Sequence, residues 1–80
     1  MFAEEDFMEK VMLPFGQRLK ELRREKGLKQ RELAELLGYT DRNIQKMEYG
    51  EVNVPALTLI KLADFFEVSL DYLVGRADQR

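Results

Sequence analysis

Apolar residues recur along this chain in short helical bursts punctuated by glycine or proline. Phe15, Leu19 and Leu22 fall three or four residues apart and point inward from a helix running from about Phe15 to Lys26, which Gly27 ends. Leu33, Ala34 and Leu37 share one face of a second helix, near Gln30 to Leu37. Ile44 and Met47 share one face of a third, near Asp41 to Tyr49. Between these two stand Gly38, Tyr39 and Thr40. Gly38 suits the left-handed backbone that closes a helix, having no Cβ to clash, and Thr40 offers an oxygen to the free N–H groups of the helix that follows. So short a connection makes the third helix leave steeply, and the small Ala34 lets the two axes approach.

After a loop over Gly50 to Val54, Pro55 opens a fourth helix through Phe66, because its missing N–H costs nothing there. Leu59, Ile60, Ala63 and Phe66 are its expected buried stripe. A fifth helix, Leu70 to Val74, is capped by Ser69, favoured by Asp71 near its positive end and stopped by Gly75. Five helices and no strand pattern make the chain all-α. Pro14 sets off residues 1–13, where Phe7, Met8, Val11 and Met12 are spaced like one apolar helical face. The expected organisation is a 1–13 extension, with an extra short helix, and a 14–80 domain. The extension could pack on its own domain, cover a dimer seam or stay disordered.

The segment from Leu28 to Gly50 resembles the helix-turn-helix of the phage repressor and Cro family, also called XRE-type. That family has Gln opening the first motif helix, Leu-Ala inside it, Gly at the turn, a Ser or Thr cap, an Ile, and Glu-x-Gly at the end of the second helix. The matching residues are Gln30, Leu33-Ala34, Gly38, Thr40, Ile44, and Glu48 to Gly50. Agreement continues through Phe15-Gly16, Arg18-Leu19, Leu22-Arg23 and Gly27 upstream, and Pro55, Leu59, Leu62-Ala63 and Val68-Ser69-Leu70 downstream. It covers about Pro14 to Val74 and implies a compact five-helix, lambda-repressor-like DNA-binding domain.

Composition narrows the chemistry. Eighty residues with 45% hydrophobic content suit one small core. Without Cys or His there are no disulfides, no thiolate metal sites and no imidazole for proton transfer or metal ligation. Carboxylates abound, but nothing suggests a nucleophile and base converging, so neither an enzyme nor a cofactor or metal site is expected. The start, MFAEEDFMEK, is acidic where a secretion signal is basic, and no apolar run approaches the roughly 18 residues of a membrane span. The expected setting is the cytoplasm, with no membrane partner.

Charge first argues against nucleic acid, since 13 basic and 15 acidic residues give −2. Its distribution reverses that impression: residues 17–46 hold nine basic and five acidic groups, +4, while each flank carries −3. Arg18, Lys20, Arg23, Arg24, Lys26, Lys29 and Arg31 supply most of the excess. They are expected to form a local positive patch, set against the plainer reading of a solvated helix face laced with Glu21 and Glu25.

The resemblance implies that the second motif helix lies in the major groove of double-stranded DNA while the first crosses the backbone. The base-reading residues are then Asp41, Arg42, Asn43 and Lys46. Arg42 can fork onto guanine and Asn43 can pair with adenine; a good bidentate contact contributes about 1–3 kcal/mol of discrimination. Asp41 either accepts from a cytosine amine or stabilises its own helix N-terminus, Lys46 reaches a base or a phosphate, and Gln45 is as well read as solvated. Phosphate contacts are implied for Gln30, Thr40, Tyr49 and Asn53. Arg23 and Glu48 correspond to a scaffold ion pair, and Ile44 and Met47 to core. Lys29 stands where the family has Ser, Thr or Asn, and Glu51-Val52 replace residues that are frequently basic, which weakens nonspecific grip.

The function expected is sequence-specific DNA binding for transcription regulation, as a repressor occupying an operator. A homodimer, with Tyr72, Leu73, Val74 and the N-terminal apolar face as its contact surface, would read two half-sites. The alternative is an antitoxin-like or adaptor module that keeps the scaffold for protein interaction.

Overall fold

The computed structural model describes the backbone of residues 4–80 and the side chains from Met12 onward. It contains α1 (Glu4–Glu25), α2 (Gln30–Leu37), α3 (Asp41–Glu48), α4 (Ala56–Phe66) and α5 (Leu70–Leu73), and no strand among the described residues. α3 packs on both α1 and α2, and α5 on both α1 and α4. Phe15, Leu19, Leu33, Ile44, Leu62 and Leu73, one or two from each helix, are fully buried where the five meet. No described helix is long and apolar enough to cross a membrane.

The expected caps form. Gly38 takes φ 72, and its neighbour Tyr39 donates its N–H to the Ala34 carbonyl, closing α2. Thr40 Oγ1 then accepts from the Asn43 N–H at 3.2 Å, and Ser69 Oγ accepts from the Tyr72 N–H at 3.0 Å. Lys29, which has no acceptor to offer, precedes α2; there the Glu32 carboxylate accepts from the Lys29 N–H at 2.9 Å instead.

Three expectations are corrected. The first helix begins at Glu4, not near Phe15, and runs through Pro14. Proline removes one backbone bond there, but Met12 and Phe15 on either side of it are both buried in the core. The Pro14 ring also fills the space where Gly75 lacks a side chain. The role expected for Phe7, Met8 and Val11 lies outside the described side chains.

Second, Ile60 is 44% exposed and Leu62 takes its place in the stripe. Leu59, Leu62, Ala63 and Phe66 share the inward face at helical spacing, about 100° per residue, and Ile60 stands off it. Third, Tyr72 and Leu73 are buried in their own core and are not a free dimer surface. Arg18 stacks 4.1 Å from the Tyr72 ring centroid and donates to the Tyr72 and Ala77 carbonyls, while the Ser69 N–H bonds the Arg80 carbonyl at 2.8 Å. The chain after α5 is thereby folded back over α1.

Gly16 sets the approach of α1 to α3. A Cβ at this position would lie 2.5 Å from the Glu48 carbonyl oxygen and 2.6 Å from that of Met47, both backbone atoms that cannot swing aside. Gly16→Ala should therefore lower stability by about 1–3 kcal/mol, the usual cost of overpacking. Urea denaturation should show this as a lower midpoint at constant slope; an unchanged midpoint would refute backbone-to-backbone packing of the two helices.

Candidate nucleic-acid interface

α3 is divided lengthwise. Ile44, Met47 and Glu48 are buried, whereas Asp41, Arg42, Asn43, Gln45 and Tyr49 are exposed and Lys46 is half-buried. Ile44 and Met47 anchor the helix from behind, in contact with the core of α1 and α2. The outward positions follow from helical spacing: Arg42, Gln45, Lys46 and Tyr49 stand three or four residues apart and share one side.

These four, with Asp41 and Glu51, line one shallow groove along α3. Asn43, adjacent in sequence to Arg42, does not share it. It lines a second hollow with Tyr39, Met47 and the α3–α4 loop residues Val52 to Pro55, which brings it beside Asn53. Sequence reasoning paired Arg42 with Asn43, although neighbours in a helix point about 100° apart. It left Gln45 undecided and assigned Glu51 no place in the groove; helical spacing from Arg42 was the signal that would have included Gln45.

Glu48 ends α3, where a carboxylate meets the negative end of the helix dipole. It is held there by partners. Its side chain is 3% exposed, and Arg23 approaches it as a fork, Nε to Oε2 at 2.6 Å and Nη2 to Oε1 at 3.2 Å. Gln30 Nε2 donates to Oε1 at 3.0 Å, and Arg23 Nη1 donates to the Leu28 carbonyl at 2.8 Å. The scaffold pair foreseen from sequence is thus a buried network joining the end of α1, the start of α2 and the end of α3. No buried side-chain nitrogen or oxygen among the described residues lacks a partner. Gln30, expected on a phosphate, gives one amide N–H to this network and is half-buried.

The positive patch disperses. Arg23 is buried against Glu48, Arg18 clamps the tail, and Lys26 lies 4.7 Å from the Phe65 ring centroid. Lys20 and Arg24 line a hollow on the outside of α1 with Gln17 and Glu21. Lys29 and Arg31, exposed at the start of α2, stay close to α3 through the Gln30–Glu48 bond. Thr40 and Asn53 are exposed, and Tyr49 is 68% exposed beyond the last turn of α3. Arg42 and Lys46 make no ion pair among the described residues, so both charges are available to a ligand.

This geometry has counterparts. Residues 19–73 match the family model described as Helix-turn-helix. The SPbeta prophage-derived uncharacterized HTH-type transcriptional regulator YonR of Bacillus subtilis is 40% identical over 60 residues, covering 75% of this chain and 56% of that protein. The HTH-type transcriptional regulator ImmR of the same bacterium is 38% identical over 64 residues, covering 80% and 50%. The chain spans about half the length of these curated relatives. Among solved structures, the restriction-modification controller protein C.AhdI from Aeromonas hydrophila superposes with a TM-score of 0.68 at 39% identity, over 78% of this chain and 94% of that one. The DNA-binding domain of BldD from S. venezulae, at 24% identity and a TM-score of 0.67, covers 81% of this chain and 97% of its own, a likeness of fold.

Removing one member of the buried pair strands the other. Glu48→Leu should cost about 3–5 kcal/mol by leaving the Arg23 charge uncompensated, while Arg23→Met combined with Glu48→Leu should cost less than the two single changes added together. A double-mutant cycle by denaturant unfolding reads the coupling directly. Additive losses would show that the pair contributes no more than a surface ion pair.

Proposed function

The chain belongs to the helix-turn-helix family, in its XRE branch, and on that premise we propose that it binds a specific double-stranded DNA sequence and represses transcription by occupying an operator as a dimer. The observation that carries this reading is the outward row of α3, with Arg42 exposed, Lys46 half-buried and neither in an ion pair among the described residues, above a base whose buried side-chain polar atoms are all hydrogen-bonded. That ImmR and YonR are named transcriptional regulators, and C.AhdI a controller protein, supports a regulatory role.

In this reading α3 enters the major groove with its N-terminal turn foremost. Arg42 forks onto the N7 and O6 acceptors of a guanine, and Lys46 extends the contact along the same side. Asp41, in the first turn of α3, complements the helix dipole. Asn43 reads an adenine from the flank, beside Asn53, which holds the adjoining backbone. Thr40, Tyr49 and the free N–H groups opening α2, flanked by Lys29 and Arg31, grip phosphates and set register. Two copies then read half-sites about 34 Å apart.

The test is titration of the chain against duplexes enriched from a random library, at several salt concentrations. Affinity should fall linearly in log–log form, with a slope set by the number of phosphates contacted. Arg42→Ala should cut discrimination at one base pair by about 1–3 kcal/mol and alter the salt slope little. Absence of salt-sensitive binding to any enriched duplex would sink the proposal and leave the scaffold as a protein-interaction module.

A further inference from the structure

Gln45 supplies the amide of the groove along α3. It is exposed, and its side chain takes part in no hydrogen bond among the described residues. Around it the charges cancel. Arg42 and Lys46 are cationic, Asp41 and Glu51 are acidic, and Tyr49 completes the lining. Phosphates are held by net positive charge, so a groove balanced in this way has little grip on the backbone of a duplex and is suited to the neutral edges of its bases.

Helix geometry sets Gln45 beside Arg42. Three residues on, it stands about 4.5 Å along the helix axis and about 60° round it, whereas Asn43 is turned about 100° away. Successive base pairs lie about 3.4 Å apart, so two side chains with that offset reach neighbouring steps of one duplex. Asn43 lines the other hollow, and the two amides therefore address different base pairs.

We infer that Gln45 is a specificity-determining residue, selecting an adenine at the base pair next to the guanine that Arg42 reads. The inference rests on the DNA reading above and adds a residue to it. Adenine presents an N7 acceptor and an N6 donor side by side in the major groove, and an amide meets both at once: Nε2 donates to N7 while Oε1 accepts from N6. Its neighbours on the helix cannot do this. Arg42 and Lys46 only donate, and Asp41 only accepts.

The test uses a duplex enriched from a random library by the unaltered chain, on which Arg42→Ala marks the guanine position. Gln45→Ala should lose the preference for adenine at the adjoining pair, a drop of roughly five- to 150-fold, with an unchanged circular-dichroism spectrum because the side chain is exposed. Gln45→Glu should prefer cytosine there, since a carboxylate accepts from the cytosine N4 amine. Replacing that adenine by 7-deazaadenine removes only the N7 acceptor. It should weaken binding of the unaltered chain about two- to tenfold and leave Gln45→Ala unaffected. A Gln45→Ala chain that keeps the adenine preference, or a deazaadenine penalty equal in both chains, overturns the inference and leaves the Arg42 contact and the DNA reading standing. Failure of every enriched duplex to bind in a salt-sensitive way overturns the DNA reading, and this inference with it.

Discussion

The Arg23–Glu48 pair, almost wholly withdrawn from water, is the interaction on which the arrangement of α1, α2 and α3 depends. Burying two opposite charges is costly unless every donor and acceptor is matched. Here a forked contact, the Gln30 amide and the Leu28 carbonyl supply the matches. Those partners come from three stretches of chain, so the network is satisfied only when all three are in place. Apolar packing of Ile44 and Met47 is non-directional and tolerates small rotations; a bidentate hydrogen-bonded pair does not. The rotational setting of α3, and with it the side from which Arg42 and Lys46 emerge, is specified by a polar contact in its last turn.

The same economy governs charge. An acidic chain cannot attract a polyanion by its net field, so affinity must come from a few cations held in definite places. Several candidates are committed elsewhere: Arg23 to the scaffold, Arg18 to the tail, Lys26 to an aromatic face. Asp41 and Glu51 border the α3 groove and offset part of its positive potential. Such a surface favours ligands that satisfy its hydrogen-bonding geometry over ligands that are merely negative.

Much of the fold was legible because each boundary has its own local chemistry. Gly38, Thr40 and Ser69 act through atoms within four residues of themselves, and α2 lies where its periodicity placed it. What escaped was tertiary. Pro14 reads locally as a break, but buried neighbours on both sides carry the helix through it. Ile60 and Leu62 are equally apolar, and the helical angle shared with Leu59, Ala63 and Phe66, the side on which the core lies, decides which one turns inward. Tyr72 resembles a contact residue until Arg18, 54 positions away, covers its ring. On the outward side of α3, the exposure of Asp41, Arg42 and Asn43 was legible from the motif, whereas the separation of Asn43 from Arg42 needed helical angle as well as proximity in sequence. The dispersal of the basic residues could not be foreseen, since a sequence counts charges without showing which are already engaged.

The close seating of Gly16 on the carbonyls of Met47 and Glu48 has an evolutionary corollary. Because the rear of α3 is gripped through main-chain atoms, the buried Ile44 and Met47 and one buried pair, its solvent-facing side chains take no part in holding it. Arg42, Gln45 and Lys46 can be exchanged among many residue types while the frame beneath them stays the same. A domain organised in this way can change the chemistry of its exposed surface by drift at a few positions, without having to rebuild its architecture each time.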